Sequence, residues 1–178
     1  MRKISLCAAF IAVLVMAFSS GAYAWTDGKK EGFLLGVHGG YSFTTIERDD
    51  YEDVNGSGFL VGPYIGFGLN EQFLLSFRVR YHHTSSNDSD LELYTTMLGG
   101  DMMFFLKPDL GLFINAGLAR AIAASNTTGE PPWGTIFYAG LGYFFTQNVF
   151  GGFDYAVGSF DNDMSTGTIS FAVGAMWY

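Results

Sequence analysis

The chain is poor in what most site chemistry depends on. Its 178 residues include one cysteine, Cys7, four prolines, and nine lysines and arginines against seventeen aspartates and glutamates. One thiol near the start leaves no disulfide framework and no cysteine-based metal cluster downstream. A formal net charge of −8 lacks the basic footprint that nucleic-acid binding requires, so no nucleic-acid partner is expected. Long apolar runs are scarce too. After residue 24 nothing approaches the roughly 18 apolar residues of a transmembrane helix.

The one long apolar run stands at the start, in MRKISLCAAFIAVLVMAFSSGAYA. Arg2 and Lys3 precede an apolar stretch from Ile4 to Phe18, and small residues follow up to Ala22-Tyr23-Ala24. This is the layout of a secretory signal peptide over residues 1–24, with an A-x-A cleavage site. Cys7 lies upstream of where a lipoprotein cleavage cysteine would stand, so no lipid anchor is expected. The mature part, residues 25–178, then forms one domain without cysteine, with seven basic against seventeen acidic residues, a net charge of −10.

Glycine and aromatics are what the chain has in abundance: 24 Gly, 18 Phe and 10 Tyr. They fall in an alternation of period two. In GFLLGVHGGYSFTT, Phe33, Leu35, Val37, Tyr41 and Phe43 share one face and Gly36, His38, Gly40, Ser42 and Thr44 the other. In TISFAVGAMW, Ile169, Phe171, Val173, Ala175 and Trp177 oppose Ser170, Ala172, Gly174 and Met176. Breaking the chain at turn signals predicts eight strands, roughly 32–46, 57–69, 73–84, 91–106, 110–123, 135–146, 149–160 and 166–178. Three connections are tight (70–72, 107–109 and 147–148), and the four that alternate with them are longer and polar: ERDDYEDVNG, SSNDSD, ASNTTGEPPWG and DNDMS. Short turns at one end and longer loops at the other match a transmembrane barrel of the outer membrane. A secreted soluble barrel of lipocalin type would carry Lys and Glu along its outward face, and these strands do not.

In this pattern the mature chain resembles the small eight-stranded outer-membrane barrels of the OmpA and OmpX type. The resemblance implies an all-β fold, an eight-stranded antiparallel up-and-down transmembrane β-barrel located in the cell outer membrane. It also implies contact with outer-membrane lipid and lipopolysaccharide, handling by the barrel-assembly machinery and a monomeric state. Family members usually end in an aromatic residue read during assembly, and this chain ends Met176-Trp177-Tyr178. Its apolar register runs through Trp177 rather than through the terminal residue, a departure at the assembly signal. No cofactor and no metal are expected.

The mid-strand charges fall on the inward parity. Counted from the short-turn end, His38, Arg78, Asp101 and Asp154 stand five residues up their strands, with Asn115 and Tyr64 at the same height and Arg80 one inward step higher. Unpaired charges in so narrow a space would cost several kcal/mol each. Two arginines facing two aspartates can satisfy one another, and an eight-stranded barrel is just filled by its side chains. A polar plug built from His38, Tyr64, Arg78, Arg80, His82, Asp101, Asn115 and Asp154 is therefore expected, with a small gated pore as the functional rival. Outward aromatics, among them Tyr41, Phe43, Tyr81 and Tyr94 on the loop side and Phe33, Phe67, Phe73, Phe104, Phe145 and Trp177 on the turn side, suit interfacial girdles.

At the loop-side rim, His83, Ser85 and Glu92 share outward parity. A base, a hydroxyl and a carboxylate are the elements of a serine hydrolase. The arrangement resembles the outer-membrane lipid A deacylases, in which His83 would be the base, Ser85 the nucleophile and Glu92 the orienting group. It departs from them in lying on the third strand and in having Ser86 between Ser85 and Asn87. The reading adopted is an interfacial histidine followed by a serine-rich loop, in a barrel whose role is structural or surface-interacting, with the hydrolase as the alternative. Arg120, near the loop-side rim with outward parity, is placed to meet a lipid phosphate, unless a bulge turns it inward.

Overall fold

The computed structural model describes residues 31–48, 51–87, 90–107, 110–126, 130–161 and 163–177. The expected signal segment over residues 1–24 and the terminal Tyr178 lie outside them. Eight strands form: β1 (Gly32–Arg48), β2 (Tyr51–Gly68), β3 (Phe73–Ser86), β4 (Glu92–Lys107), β5 (Leu112–Ser125), β6 (Trp133–Phe144), β7 (Val149–Phe160) and β8 (Met164–Trp177). Each pairs antiparallel with the next, and β8 returns to pair with β1, closing the barrel. Strands of 12 to 18 residues exceed the roughly 9–11 that a tilted strand needs to cross the hydrocarbon.

The strand centres match the alternation, but the loop side differs from expectation. ERDDYEDVNG, expected as a loop, mostly extends β1 and β2 into one long hairpin, pairing Thr45 with Asn55, Ile46 with Val54 and Arg48 with Tyr51 across a register shift. Above the bilayer both faces of a hairpin meet water, so the ladder continues through polar residues without any alternation to mark it. The other loop-side strand ends also lie close in sequence: Ser86 and Glu92, Ser125 and Trp133, Phe160 and Met164. The asymmetry of the barrel thus lies in how far its hairpins project rather than in long irregular loops.

The turn side is fixed by local chemistry. Asn70 Oδ1 accepts the backbone N–H groups of Gln72 and Phe73 at 2.8 and 2.9 Å. Thr146 Oγ1 does the same for Asn148 and Val149. Gly111 takes φ +68°, the left-handed region that a side chain resists, and its carbonyl accepts the Phe144 N–H at 3.0 Å.

The two faces of the wall are opposite in chemistry. Phe33, Ile65, Phe77, Leu118, Phe137 and Phe171 point outward, each 45–60 % exposed, while His38, Ser42, Arg78, Arg80, Asp101 and Asp154 are buried inside. A soluble barrel would invert this. In a bilayer the outward apolar band is what lipid requires, and the closed ladder leaves no edge unpaired.

Inside, the core is layered. At the turn end Leu34, Tyr64, Leu74, Met103, Phe105, Phe113, Phe144, Phe150 and Met176 form one buried apolar cluster to which every strand contributes. At the loop end a second cluster, with Leu93, Met97, Ala119, Ala121, Ala123, Ile136, Ala156 and Phe160, lines the β4 to β7 side. Facing it, Thr44 and Thr168 share a hydrogen bond of 3.1 Å. The charged residues sit between the two clusters.

Candidate functional site

The polar layer follows from strand register. On β3, Arg78 and Arg80 are two residues apart and therefore point the same way. Asp101 on β4 lies beside Arg78, and its Oδ2 accepts from Arg78 Nη2 at 2.7 Å. Asp154 on β7 lies across the lumen from Arg80 and takes a two-pronged contact, Nη1 to Oδ1 and Nη2 to Oδ2, both at 3.1 Å. This fork is the arrangement in which guanidinium and carboxylate bind most strongly. Ser76 donates a long hydrogen bond to Asp101 Oδ2 at 3.4 Å.

Tyr64 and Tyr138 complete the layer. The Arg78 guanidinium lies 5.5 Å from the Tyr64 ring centre and 5.7 Å from that of Tyr138, and Arg80 lies 5.0 Å from Tyr138, within the range of cation–π attraction. Both rings lie flat against the wall because glycine faces them. A Cβ at Gly36 would stand 2.2 Å from Tyr64 Cζ, and one at Gly117 would stand 2.2 Å from Tyr138 Cζ. The tyrosine hydroxyls donate to main-chain carbonyls, Tyr64 to Ala175 at 3.2 Å and Tyr138 to Gly100 at 3.3 Å.

His38 stacks at 5.8 Å from the Tyr64 ring, and neither of its ring nitrogens has a hydrogen-bond partner among the described residues. Together with Asn115, Arg78, Arg80 and Asp154 it lines a void of about 30 Å³. His82 is buried higher up, among Thr44, Thr84, Thr95 and Thr168, around a second void of about 10 Å³. It shares the lumen with the aspartates but belongs to the threonine tier rather than to the ion pairs. Sequence reasoning missed Ser76 and Tyr138. Both have inward parity, but counted from the turns neither stands at the height of the other members of the layer.

The rim triad is arranged differently from a hydrolase. His83 is the cross-strand partner of Tyr94, and Ser85 of Glu92. The His83 ring lies between Phe59 at 5.2 Å and Tyr94 at 4.9 Å. Glu92 Oε2 is 4.0 Å from His83 Nε2 and accepts the Tyr94 hydroxyl. No hydrogen bond joins His83 to Ser85 among the described residues, so the contact by which an imidazole takes a serine proton is not formed. With Tyr41 and Tyr81 these residues form part of the loop-side aromatic girdle.

A family model described as the outer membrane protein beta-barrel domain matches residues 10–176. The chain belongs to that family. Among solved structures, this outer-membrane barrel is similar to Ail, the attachment invasion locus protein of Yersinia pestis, crystallised with the heparin analogue sucrose octasulfate. The two are 15 % identical over 82 % of this chain and 99 % of that one, with a TM-score of 0.63. Neisserial surface protein A is 17 % identical over 79 % and 96 %, with a TM-score of 0.58. OprG from Pseudomonas aeruginosa is 9 % identical over 85 % and 99 %, with a TM-score of 0.56. Identities this low carry the fold alone. No curated protein matches the sequence. Family and fold place the barrel in the outer membrane, with the short turns on the periplasmic side and the hairpins outside.

Proposed function

We propose that this is a non-catalytic outer-membrane barrel, monomeric and plugged, which acts through its outer surface on outer-membrane lipid and lipopolysaccharide. Residues 1–24 serve as the secretory signal, and the barrel-assembly machinery inserts the domain formed by residues 25–178. One observation carries the plug. Two ion pairs and the turn-end apolar cluster fill the lumen, and the voids beside them, about 30 and 10 Å³, are the size of one or two waters. A hydrated ion does not fit. Asp53, Asp90, Glu130, Asp161 and Asp163 lie on the loop side and are all exposed. That charge suits cationic or cation-bridged partners better than a bare polyanion of the kind bound by Ail.

The test combines gel, bilayer and lipid analysis. The purified protein should migrate differently before and after boiling, as folded barrels do. It should give no ion conductance in planar bilayers, and its overexpression should leave the lipid A mass spectrum unchanged. Steady conductance would refute the plug. A lipid A mass shift that vanishes in Ser85→Ala would replace this reading by the deacylase.

A further inference from the structure

Arg120 is anomalous on the outer wall. Of the described arginine and lysine side chains, Arg78 and Arg80 are inside the lumen and Lys107 ends β4 at the turn side. Arg120 alone stands exposed on the lipid-facing wall, flanked along β5 by Leu118 and Ile122 and across the strand by Leu98. No bulge turns it inward, since β5 keeps its alternation through Ala123. A cation is costly at the midplane of such a wall and nearly free at the interface. The register places it at the interface, because its partner on β6, Thr135, is the third residue from the loop-side end of that strand. Trp133, which is 51 % exposed, starts the strand there, where an interfacial indole belongs.

The surroundings of Arg120 are those of an anion site. Its Nη1 donates to Thr135 Oγ1 at 3.1 Å, which uses one of the guanidinium's five donors on an exposed side chain. Thr135 is paired across the sheet with Ser159, and Ser159 with Ser165, so a row of hydroxyls continues from the arginine around the barrel. The row ends at Glu47, which accepts from Ser165 at 3.3 Å. Four strand spacings, about 19 Å, separate that carboxylate from Arg120. One fixed cation, neighbouring hydroxyl donors and an indole at headgroup depth match a phosphate whose acyl chains lie along the adjoining apolar wall.

We infer that Arg120, with Thr135 and Ser159, forms a docking site for a phosphate of the phosphorylated glycolipid of the outer leaflet, the lipid A part of lipopolysaccharide. The inference rests on the lipopolysaccharide contact proposed above and gives it a location. The cation fixes the phosphate through charge-assisted hydrogen bonds, and the hydroxyls orient it. Asp161 lies two residues beyond Ser159 on the loop side and Glu47 at the far end of the hydroxyl row, so the phosphate belongs at the arginine end of the row.

The test is lipid retention by the full-length folded barrel in detergent, read by native mass spectrometry. The probes are bis-phosphorylated lipid A, the same lipid without phosphates, and phosphatidylglycerol. The wild type should retain the phosphorylated lipid A at least about tenfold better than the dephosphorylated form. Arg120→Gln should remove most of that difference, Arg120→Lys should keep part of it, and Lys107→Gln should keep all of it. Heat-modifiable migration of each variant verifies that it is folded. If the wild type prefers phosphorylated lipid A and Arg120→Gln prefers it equally, the site is refuted while the wider lipid reading stands. If the wild type retains no lipid A, both fall. Retention of phosphatidylglycerol as strong as that of lipid A, and equally dependent on Arg120, would reassign the site to phospholipid and overturn the glycolipid claim.

Discussion

The fork between Arg80 and Asp154 provides the sharpest test of the interior. Its two contacts are 3.1 Å each, and the side chains are only 3 % and 9 % exposed. At that distance and an effective dielectric of about 20, the attraction is about 5 kcal/mol. Removing one partner exposes the other to the full cost of an uncompensated buried charge, about 3–5 kcal/mol. Asp154→Asn and Arg80→Met should therefore each lose about that much. The double variant has no lone charge at this pair and should lose much less than the sum, about 0–2 kcal/mol, leaving a coupling of several kcal/mol. The assay is equilibrium urea unfolding of the barrel in vesicles, followed by tryptophan emission and by heat-modifiable migration. Single losses below about 1 kcal/mol, or a double loss equal to the sum, would mean that water reaches the pair and screens it, and the dry plug would be refuted.

Three further outcomes follow from neighbouring geometry. Phe113→Ala, which opens a hole in the turn-end cluster where Phe113 packs on Phe105, Phe144 and Phe150 at 5.5–5.9 Å, should cost about 3–5 kcal/mol in the same unfolding assay. Gly117→Val should yield little heat-modifiable barrel on refolding, because its side chain would occupy the place of the Tyr138 ring. Ala116→Arg, four residues below Arg120 on the same exposed face of β5, should lower stability by about 2–4 kcal/mol, whereas Arg120→Leu at the interface should change it by less than about 1 kcal/mol.

The architecture was legible because its two chemical faces alternate strictly. Phe33 to Phe43 and Ile169 to Val173 announce outward faces whichever strand they pair with, whereas Ala175, expected outward, is buried near the end of β8; parity alone sends Arg78, Arg80, Asp101 and Asp154 inward. Pairing was less legible. Arg80 meets Asp154 from β7 across the lumen while Arg78 takes Asp101 from the adjacent β4, and counting residues from the turns does not give the stagger that decides this. The long β1–β2 hairpin was hidden for another reason. The acidic run from Glu47 to Asp53 lacks alternation, and above the bilayer strands do not need it. Tyr138 was not legible because, counted from its turn, it stands higher on its strand than the layer, and only the stagger of the barrel brings its ring against two guanidinium groups.

The inner and outer walls bear jointly on register. A slip of one residue in β3 would carry Arg78 and Arg80 out to the lipid and bring Phe77 and Val79 into a lumen packed without room for them. A slip of two residues keeps parity, so hydrophobicity alone would barely oppose it. It would, however, move each arginine one inward step along the lumen. Arg78 would then leave Asp101 while Arg80 left Asp154, stranding charges at both ends of the layer. The tyrosine–glycine contacts fix other pairs in the same way: Gly36 faces Tyr64 across β1 and β2, and Gly117 faces Tyr138 across β5 and β6, so a two-residue slip in either pair would drive a ring against a side chain. Lipid therefore selects the face each residue takes, and the ion pairs with their tyrosine–glycine contacts select the height. The buried charges of this barrel are placed where the alternation of its wall is blind.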